Sequence, residues 1–570
     1  MQVCVLREFE RWKEFADDPF VAQELEKITG NLAAIEDRFW SRLAFGTGGL
    51  RGVMGAGTNR MNCYTVGQAA QGLANFLKEQ ETLGQSVCIG YDTRRHSFEF
   101  ACCAAGVLCG NGIAVHLFCQ VQPTPMLSFA VRSQKAGAGI VITASHNPKQ
   151  YNGFKVYGPD GVQATDAMAE QIRGRINGCD LFTGVHKMNL QNAEKNGLLH
   201  WLGAETEGAY YNKVVGLALR KKLLAERAAE LEILYTPLHG TGSKPVPEVL
   251  RKLGFGNVNL VAQQAVADGD FSTVPYPNPE EPAVYRLALQ QAGKTHPDLI
   301  LATDPDCDRV GVMAKNECGE YVRLSGNQVG ALLCEYILAY KASAKELLGA
   351  AIVKTIVTTD LAKAICGKYG VYVEETLTGF KYIGELAQQW AENGSHNFMF
   401  GFEESCGYLA GDFVRDKDAV FACALVAEMA LYHKTMGQSL PGALRNLYEA
   451  NGYYADKLFT IEKLGQSGQK EIARVMNAFR SNYATCFAGE NLLAVDDFLA
   501  GTHTEMAVGV PEVLKLPKSN VLKFSFGNGW LVLRPSGTEP KLKVYISVKG
   551  TSLEDAQAEL EPYSNWIDIF

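Results

Sequence analysis

Apolar and polar positions along the chain fall into stretches of helical and of strand period. Between residues 9 and 43, Trp12, Phe15, Val21, Leu25, Ile28, Leu32, Ile35 and Phe39 recur at helical spacing among charges, so the chain is expected to open with amphipathic helix. Residues 87–91 and 113–118 read as strands with a helix over 97–110 between them, a βαβ unit with parallel pairing. A proline-initiated helix over 125–133 leads into the small and β-branched run 138–142, a buried strand. The turn signal Gly158-Pro159-Asp160-Gly161 predicts that 153–157 pairs as a hairpin with Val162 and its neighbours, which puts Lys155 on a short ribbon.

The same rhythm returns twice. Strands at 231–235, 258–262 and 299–302 with a helix over 245–253 make a second unit. The stretch 268–282, with Pro275, Pro277, Pro279 and Pro282 and no period, reads as an ordered loop. A third unit holds a helix at 327–340, a strand at 351–357, a helix at 360–369 and a strand at 398–400. Its long apolar helix, 419–432, has Asp416 as the expected N-cap. After a helical, turn-rich passage over 437–450, strands at 457–461, 521–526, 530–533 and 542–548 give an α+β ending. A helix over 551–561 closes it, with Thr551 and Glu554 at capping-box spacing.

Composition narrows the class. A chain of 570 residues is too long for one hydrophobic core and suggests roughly three to five domains. With 47% hydrophobic and 20% charged residues it reads as soluble and globular. No apolar run approaches about 18 residues, and 1–11 carries acidic residues without an apolar leader, so neither a membrane span nor a signal peptide is expected. The net charge of −8 shows no long single-sign block, which argues against a nucleic-acid partner and for a small ligand. Fifteen cysteines are scattered with no C-x-x-C pair, the pattern of reduced core thiols in a cytoplasmic protein.

Four places carry chemistry. The strand at 138–142 runs into Thr143-Ala144-Ser145-His146-Asn147-Pro148, followed by Tyr151-Asn152-Gly153-Phe154-Lys155, so Ser145 sits at a strand tip, where ligands meet open α/β sheets. It is a candidate nucleophile, with ordinary turn chemistry as the alternative. Earlier, Phe45-Gly46-Thr47-Gly48-Gly49-Leu50-Arg51-Gly52 reads as a glycine-rich loop in which Arg51 offers a forked donor to phosphate oxygens. Asp304, Asp306 and Asp308, at alternate positions in one loop, repel by on the order of several kcal/mol unless folded around a cation, and all-oxygen ligation points to Mg²⁺. An EF-hand register fails, because Arg309 and Lys315 stand where glycine and glutamate are required. An aspartyl-nucleophile phosphatase register fails at Asp308. Glu403, Glu404 and Ser405, between glycines, can hydrogen-bond vicinal hydroxyls, and Arg534-Pro535-Ser536-Gly537-Thr538-Glu539-Pro540-Lys541 makes a phosphate-sized nest.

In this order and over nearly the full chain, T-A-S-H-N-P with N-G-F-K, D-P-D-C-D-R, G-F-E-E-S and R-P-S-G-T-E-P resemble the motifs of the α-D-phosphohexomutases. The opening F-G-T-G-G-L-R-G and the length are most similar to the phosphoglucomutase branch, which includes phosphopentomutases and glucose-1,6-bisphosphate synthases. The resemblance implies four domains around a central cleft, three similar α/β units with mixed sheets and a C-terminal α+β domain, divided here as 1–204, 205–324, 325–450 and 451–570. It implies a phosphorylated Ser145 that shares Mg²⁺ with Asp304, Asp306 and Asp308, and Arg309 as a phosphate contact. Thr378 and Gly379 match the loop that tells the two sugar orientations apart, and Glu403 and Ser405 match the sugar-hydroxyl loop. Arg534, Ser536, Gly537 and Thr538 match the clamp on the non-reacting phosphate, and Lys155 and Lys417 match two lysines near the reacting oxygen.

Lys155, Lys417 and His146 are the candidates for general base, with Lys155 preferred for its ribbon placement, and Arg51 joins the catalytic set. The implied reaction interconverts glucose 1-phosphate and glucose 6-phosphate through glucose 1,6-bisphosphate, with sugar phosphates as the partners. Mannose or pentose phosphates, bisphosphate synthesis from 1,3-bisphosphoglycerate, and an inactive sugar-phosphate-binding paralogue remain open. The last predicts a loss among Ser145, the three aspartates or Arg534, and none is lost. Cys307 and Cys406 stand where small or different residues are common, which raises the question of redox sensitivity. Oligomeric state is not legible.

Overall fold

The structure, a computed structural model, describes residues 2–46, 48–80, 86–463, 465–486, 491–536 and 541–567. The opening amphipathic stretch is three helices, Gln2–Phe15, Pro19–Ile28 and Leu32–Phe39. It breaks where Asp18 and Asn31 accept hydrogen bonds from the backbone N–H groups of Val21 and Ala34, 3.0 and 3.1 Å, and where Pro19 presets the first turn. Trp12, fully buried, meets Phe39, Tyr64 and Phe182 edge-on and fastens these helices to the unit that follows.

That unit is a six-stranded sheet of β1 (Gly49–Val53), β2 (Ser86–Tyr91), β3 (Ala114–Phe118), β4 (Ala138–Ile142), β5 (Tyr151–Tyr157) and β6 (Leu199–Leu202), ordered β1-β5-β4-β2-β3-β6. Strands β4, β2, β3 and β6 are parallel, and β5 lies antiparallel between β1 and β4. Two expectations are corrected here. The glycine-rich segment is in part a strand, with Arg51 opposite Gly153. The ribbon expected from 153–157 is an inner strand, because Phe154, Val156 and Tyr157 are fully buried there; the expected pairing past the turn is short, with Tyr157 bridging to Gln163, the Gly158 N–H donating to the Val162 carbonyl and the Ala164 N–H to that of Val156, both at 2.8 Å.

The second sheet, β7 (Ile233–Thr236), β8 (Val258–Leu260), β9 (Leu299–Thr303), β10 (Val310–Lys315) and β11 (Tyr321–Leu324), is ordered β11-β10-β9-β7-β8. The third, β12 (Ala350–Thr355), β13 (Tyr372–Thr376), β14 (Asn397–Glu403) and β15 (Gly407–Leu409), is ordered β13-β12-β14-β15. One plan recurs in all three. The chain climbs a strand with a parallel neighbour, crosses a short loop and returns antiparallel: β4 to β5, β9 to β10, β14 to β15. Each crossing holds one non-glycine residue in the left-handed region: Ser145 at φ 51°, Cys307 at 51° and Cys406 at 63°. Both thiols are buried and burial pushes them up, so these cysteines serve the turn rather than a reactive surface.

The helix Ala419–Thr435, apolar on every side, threads the largest core and ties the second unit to the third. Its N-cap is Asp418, which accepts from the Phe421 N–H at 2.9 Å, and not Asp416, whose carboxylate instead accepts from Tyr157 Oη at 2.7 Å. The last unit is antiparallel throughout: β16 (Tyr453–Glu462), β17 (Leu492–Asp497), β18 (Thr502–Glu505), β19 (Pro511–Val513), β20 (Leu522–Phe526), β21 (Gly529–Pro535) and β22 (Lys541–Gly550), ordered β16-β22-β21-β20-β17-β18-β19. Sequence period missed the helix Gly465–Cys486 and the strands β17 to β19, of which β18 and β19 bury no residue; ladder bonds hold them, with a 2.5 Å contact between His503 Nδ1 of β18 and Asp496 Oδ1 of β17. The terminal helix, Leu553–Ile567, is capped by Ser552, whose Oγ accepts from Asp555 N–H at 3.1 Å, one residue beyond the expected Thr551. Trp530, Val532 and Tyr545 dock this unit against Ile356, Val357 and Leu377 of the third.

Among the described residues no helix is long and apolar enough to cross a membrane. Truncating Trp12→Ala removes the rivet of the three opening helices, and chemical denaturation is expected to show a loss of about 3–5 kcal/mol; an unchanged midpoint would mean these helices add nothing to the fold.

Candidate active site

The serine loop is built from main-chain contacts. Asp92, just after β2, accepts from Thr143 Oγ1 at 2.6 Å, Ser97 Oγ at 2.7 Å and the Arg94 N–H at 2.9 Å, and its ion pair with Arg94 Nε spans 3.2 Å. The buried Arg94 guanidinium donates to the carbonyls of Asn147, Pro148 and Tyr151 at 2.5, 3.0 and 3.1 Å and also to that of Ser145. Phe271 of the second unit lies under it at 4.9 Å. With Thr143 Oγ1 accepting from the Ser145 N–H at 2.8 Å, these bonds hold Ser145 in a backbone conformation that costs about 1–3 kcal/mol. The result is a hydroxyl aimed out of the first unit. Ser145 Oγ donates to Asp304 Oδ2 at 2.8 Å and lies 3.2 Å from His146 Nδ1.

Asp304, Asp306 and Asp308 bring one oxygen each to within 4.8 Å of one another, all buried. At that spacing each pair of charges repels by on the order of 3 kcal/mol at an effective dielectric of about 20. Lys155 Nζ donates to Asp306 Oδ2 at 2.9 Å and stands 3.8 Å from Asp308, while Lys417 Nζ stands 3.2 Å from Asp308. Thr124 Oγ1 adds a donor to Asp306 at 3.0 Å, and Asp304 Oδ1 accepts from the N–H groups of Asp308 and Arg309, both 3.1 Å. Even so, Asp306 Oδ1 and Asp308 Oδ1 are buried with no hydrogen-bond partner. Orphaned anionic oxygens in a converging trio fit a hard divalent cation with oxygen ligands. Burial and the neighbouring carboxylates push Asp304 and Asp308 above the usual carboxylate range; for Asp306, burial is outweighed by Lys155 and Lys417, which hold it well below. Cys307 faces Gly242, so closely that a Cβ there would come within 2.9 Å of its sulfur, and it does not belong to the trio.

The other predicted residues surround this pair. His146 is kept neutral by burial and by Arg309 and Arg51, and stands edge-on to Tyr276 at 5.7 Å. Arg51, from β1, reaches Asn147 Oδ1 at 3.3 Å. Arg309 donates to Glu280 Oε1 at 3.0 Å. Burial disfavours the Lys417 ammonium, but Asp308, Asp416 and Glu403 outweigh it and raise its pKa. Glu403 ends β14, where a loop was expected, and accepts from Ser405 Oγ at 2.9 Å. Gly407 separates it from Lys417: a Cβ there would lie 2.2 Å from the lysine Cδ.

Thr378 and Gly379 precede the helix Phe380–Asn393, with Gly379 at φ 122° as its N-cap, beside the Leu377 contact to the last unit. Arg534 stands opposite Lys543 in the β21–β22 ladder, and Ser536 follows it. Two cations across one ladder rung repel, an arrangement that an anion relieves. Burial, then Arg534 and Arg309, push Lys543 down. Gly537 and Thr538 lie outside the described residues. The sequence reading missed Asp92, Arg94, Thr124, Glu280 and Lys543; only Asp92-x-Arg94 at the end of a predicted strand carried a local signal.

Glu404, beside Glu403, accepts from Thr355 and Thr358 hydroxyls at 3.3 and 3.4 Å, and burial, then Glu403, push it from 4.5 up to about 7. A raised carboxyl binds its proton more tightly in the folded chain, so its stabilising contribution is complete below pH about 4.5 and is lost as pH rises through about 7. Glu404→Gln is expected to flatten that fall in a series of denaturation midpoints across the window; an unchanged slope would assign it elsewhere.

The sequence matches the family models of phosphoglucomutase/phosphomannomutase α/β/α domain I over residues 42–181, domain II over 209–319 and domain III over 325–450, and the C-terminal domain over 490–560. It is 37% identical over 556 residues to a phosphoglucomutase of Staphylococcus haemolyticus, covering 97% of this chain and 98% of that one. A phosphoglucomutase of Staphylococcus epidermidis is 38% identical over 508 residues, 89% and 90% of the two chains. Among solved structures, the phosphoglucomutase pp63/parafusin of Paramecium in an open form superposes with a TM-score of 0.66 at 16% identity, covering 93% of this chain and 96% of that one. A phosphoglucomutase/phosphomannomutase family protein of Burkholderia thailandensis gives 0.64 at 17%, with 92% and 98% covered. These two structures bear on the fold.

Proposed function

The chain belongs to the phosphoglucomutase/phosphomannomutase family, and we propose that it interconverts glucose 1-phosphate and glucose 6-phosphate, with Ser145 carrying the transferring phosphoryl group and glucose 1,6-bisphosphate as the bound intermediate. It is an enzyme of the isomerase class that moves a phosphoryl group within its substrate. The observation that carries the reading is the 2.8 Å hydrogen bond from Ser145 to Asp304, which joins an alcohol of the first unit to the acidic trio of the second. Glucose is favoured because relatives matched over nearly their whole length bear the name phosphoglucomutase.

The three aspartates and an oxygen of the phosphorylated Ser145 would hold Mg²⁺, which supplies positive charge against the charge that develops on the transferring group. Phosphoryl transfer asks chiefly for alignment and electrostatics, and the residues divide that work. The Arg94 clamp and Thr143 fix the direction of the serine. Arg51, Arg309 and Lys417 offer cations to phosphate oxygens, and Glu403 with Ser405 receives the sugar hydroxyls, while Thr378 and Gly379 read the ring's orientation. Lys155, held on an inner strand at the edge of the trio, is assigned as the acceptor of the sugar hydroxyl's proton in its amine form, which requires it first to give up the proton it donates to Asp306, and His146 stays neutral beside Ser145. Arg534, Ser536 and Lys543, with Gly537 and Thr538 next in sequence, hold the phosphate that does not react. A clamp that reads phosphate and not sugar accepts either end, so the bisphosphate can turn and return a phosphate to Ser145. The units meet at 204/205, 324/325 and 450/451 in this reading. Fourteen free cysteines among the described residues support a cytoplasmic setting with sugar phosphates as partners.

Given either isomer with Mg²⁺ and a trace of bisphosphate, the enzyme is expected to produce the other, and the intact mass is expected to show one phosphate on Ser145. Ser145→Ala should lower kcat by about 10³-fold or more. Phosphorylated Ser145 with no interconversion of any hexose phosphate would remove the reading.

A further inference from the structure

A cavity of about 1010 Å³ opens on the side of the third unit away from the catalytic loops. Its walls are residues 216–223, which leave the helix Ala204–Gly216, together with the helices Gly326–Ser343 and Ala419–Thr435 and the start of β14. Phe398 and Met399 face it, whereas Glu403, at the other end of β14, lies roughly 13–17 Å farther along the strand. None of the residues assigned to catalysis lines it.

The lining combines two chemistries. Leu217, Leu223, Ile337, Phe398, Met399 and Leu425 make an apolar floor. Around it stand Arg220, Lys221, Lys222 and Lys341, four cations against the two carboxylates Glu226 and Glu346; Lys341 Nζ donates to Glu346 at 2.6 Å and Lys222 Nζ stands 3.9 Å from Glu226, so the lining carries an excess of two positive charges. The wall is fixed, not a loose surface loop. The buried Glu428 carboxylate accepts from the Leu219 N–H at 3.1 Å, the Arg220 N–H at 2.7 Å and Tyr336 Oη at 2.9 Å. The Arg220 guanidinium lies 4.2 Å from the ring centres of both Tyr336 and Tyr432 and 5.1 Å from that of Tyr340, with Nη1 buried and without an acceptor.

We propose that this cavity binds an organic phosphate bearing an aromatic ring system, in chemical class a nucleotide. The volume stands at the upper end of small-ligand sites, and such a ligand satisfies both halves of the lining. Its ring covers the floor beside Phe398 and Tyr340, and its phosphates meet the exposed Lys221 and Lys222. A sugar phosphate leaves the apolar floor wet, and a neutral nucleoside leaves the excess positive charge of the lining unmatched. The helix Ala419–Thr435 lines the cavity with Tyr432 and Thr435 and starts beside Lys417, so an occupant touches an element that ends at the catalytic loops.

The test titrates ATP in chelator into the full-length protein by calorimetry. Saturable binding is expected, unchanged in Arg534→Ala, which separates it from the catalytic phosphate clamp. It should weaken about tenfold or more in the exposed double variant Lys221→Glu/Lys222→Glu, whose turnover without ATP matches the parent. Adenosine and inorganic phosphate should each bind at least about tenfold more weakly than ATP. Absence of binding, loss of it in Arg534→Ala, indifference to the charge reversal, or inorganic phosphate binding as tightly as ATP would each overturn the proposal.

Discussion

Three carboxylates crowded into a buried space of a few ångströms form the constraint around which the molecule is arranged. Left alone they would expel one another or take up protons. The fold answers with the ammonium groups of Lys155 and Lys417, the hydroxyls of Thr124 and Ser145 and two adjacent main-chain amides of the trio's own loop, and still leaves two oxygens without partners. The surplus of negative charge fits the cluster to a cation, and the serine hydroxyl is hydrogen-bonded to the same cluster. Lys155 rises from an inner strand of the first sheet and Lys417 from the segment before the core helix, so neutralising the trio also locks three units into register.

The repetition of one strand–loop–return device explains why the residues proposed for catalysis converge although they lie far apart in sequence. Each unit ends a buried strand in a tight crossing whose left-handed residue reverses the chain within a few residues. The crossings touch: the Val310 N–H donates to the Cys406 carbonyl at 3.1 Å, and Arg309 bridges to Gly407. The last unit, without such a crossing, adds a ladder in which Arg534 faces Lys543, a pairing that an anion would relieve.

How much of this is legible in the sequence follows from which interactions are local. The parallel core strands, the long buried helix and the four polar loops could be read, because each is an apolar run followed by residues whose chemistry is self-evident. Glycine richness hid β1, whose pairing depends on its partner Phe154 and not on its own composition. The turn at 158–161 was correctly placed, yet the strand before it chose a nonlocal partner, since only an inner position buries Phe154 and Val156. Thin strands β18 and β19 have no buried side and so no alternation to detect. The Asp92–Arg94 clamp escaped notice because its targets are carbonyl oxygens, which every sequence has.

That last feature has a consequence for how such a loop changes over generations. Arg94 grips the segment 145–151 by its peptide oxygens, so the path of the loop is set independently of the side chains it displays. Side chains at 146 and 147 are therefore open to drift that retunes the neighbourhood of the nucleophile without bending its support. The vulnerable point is Arg94 itself, whose replacement would alter the shape of the loop and so the direction of the Ser145 hydroxyl, with every side chain of the loop unchanged.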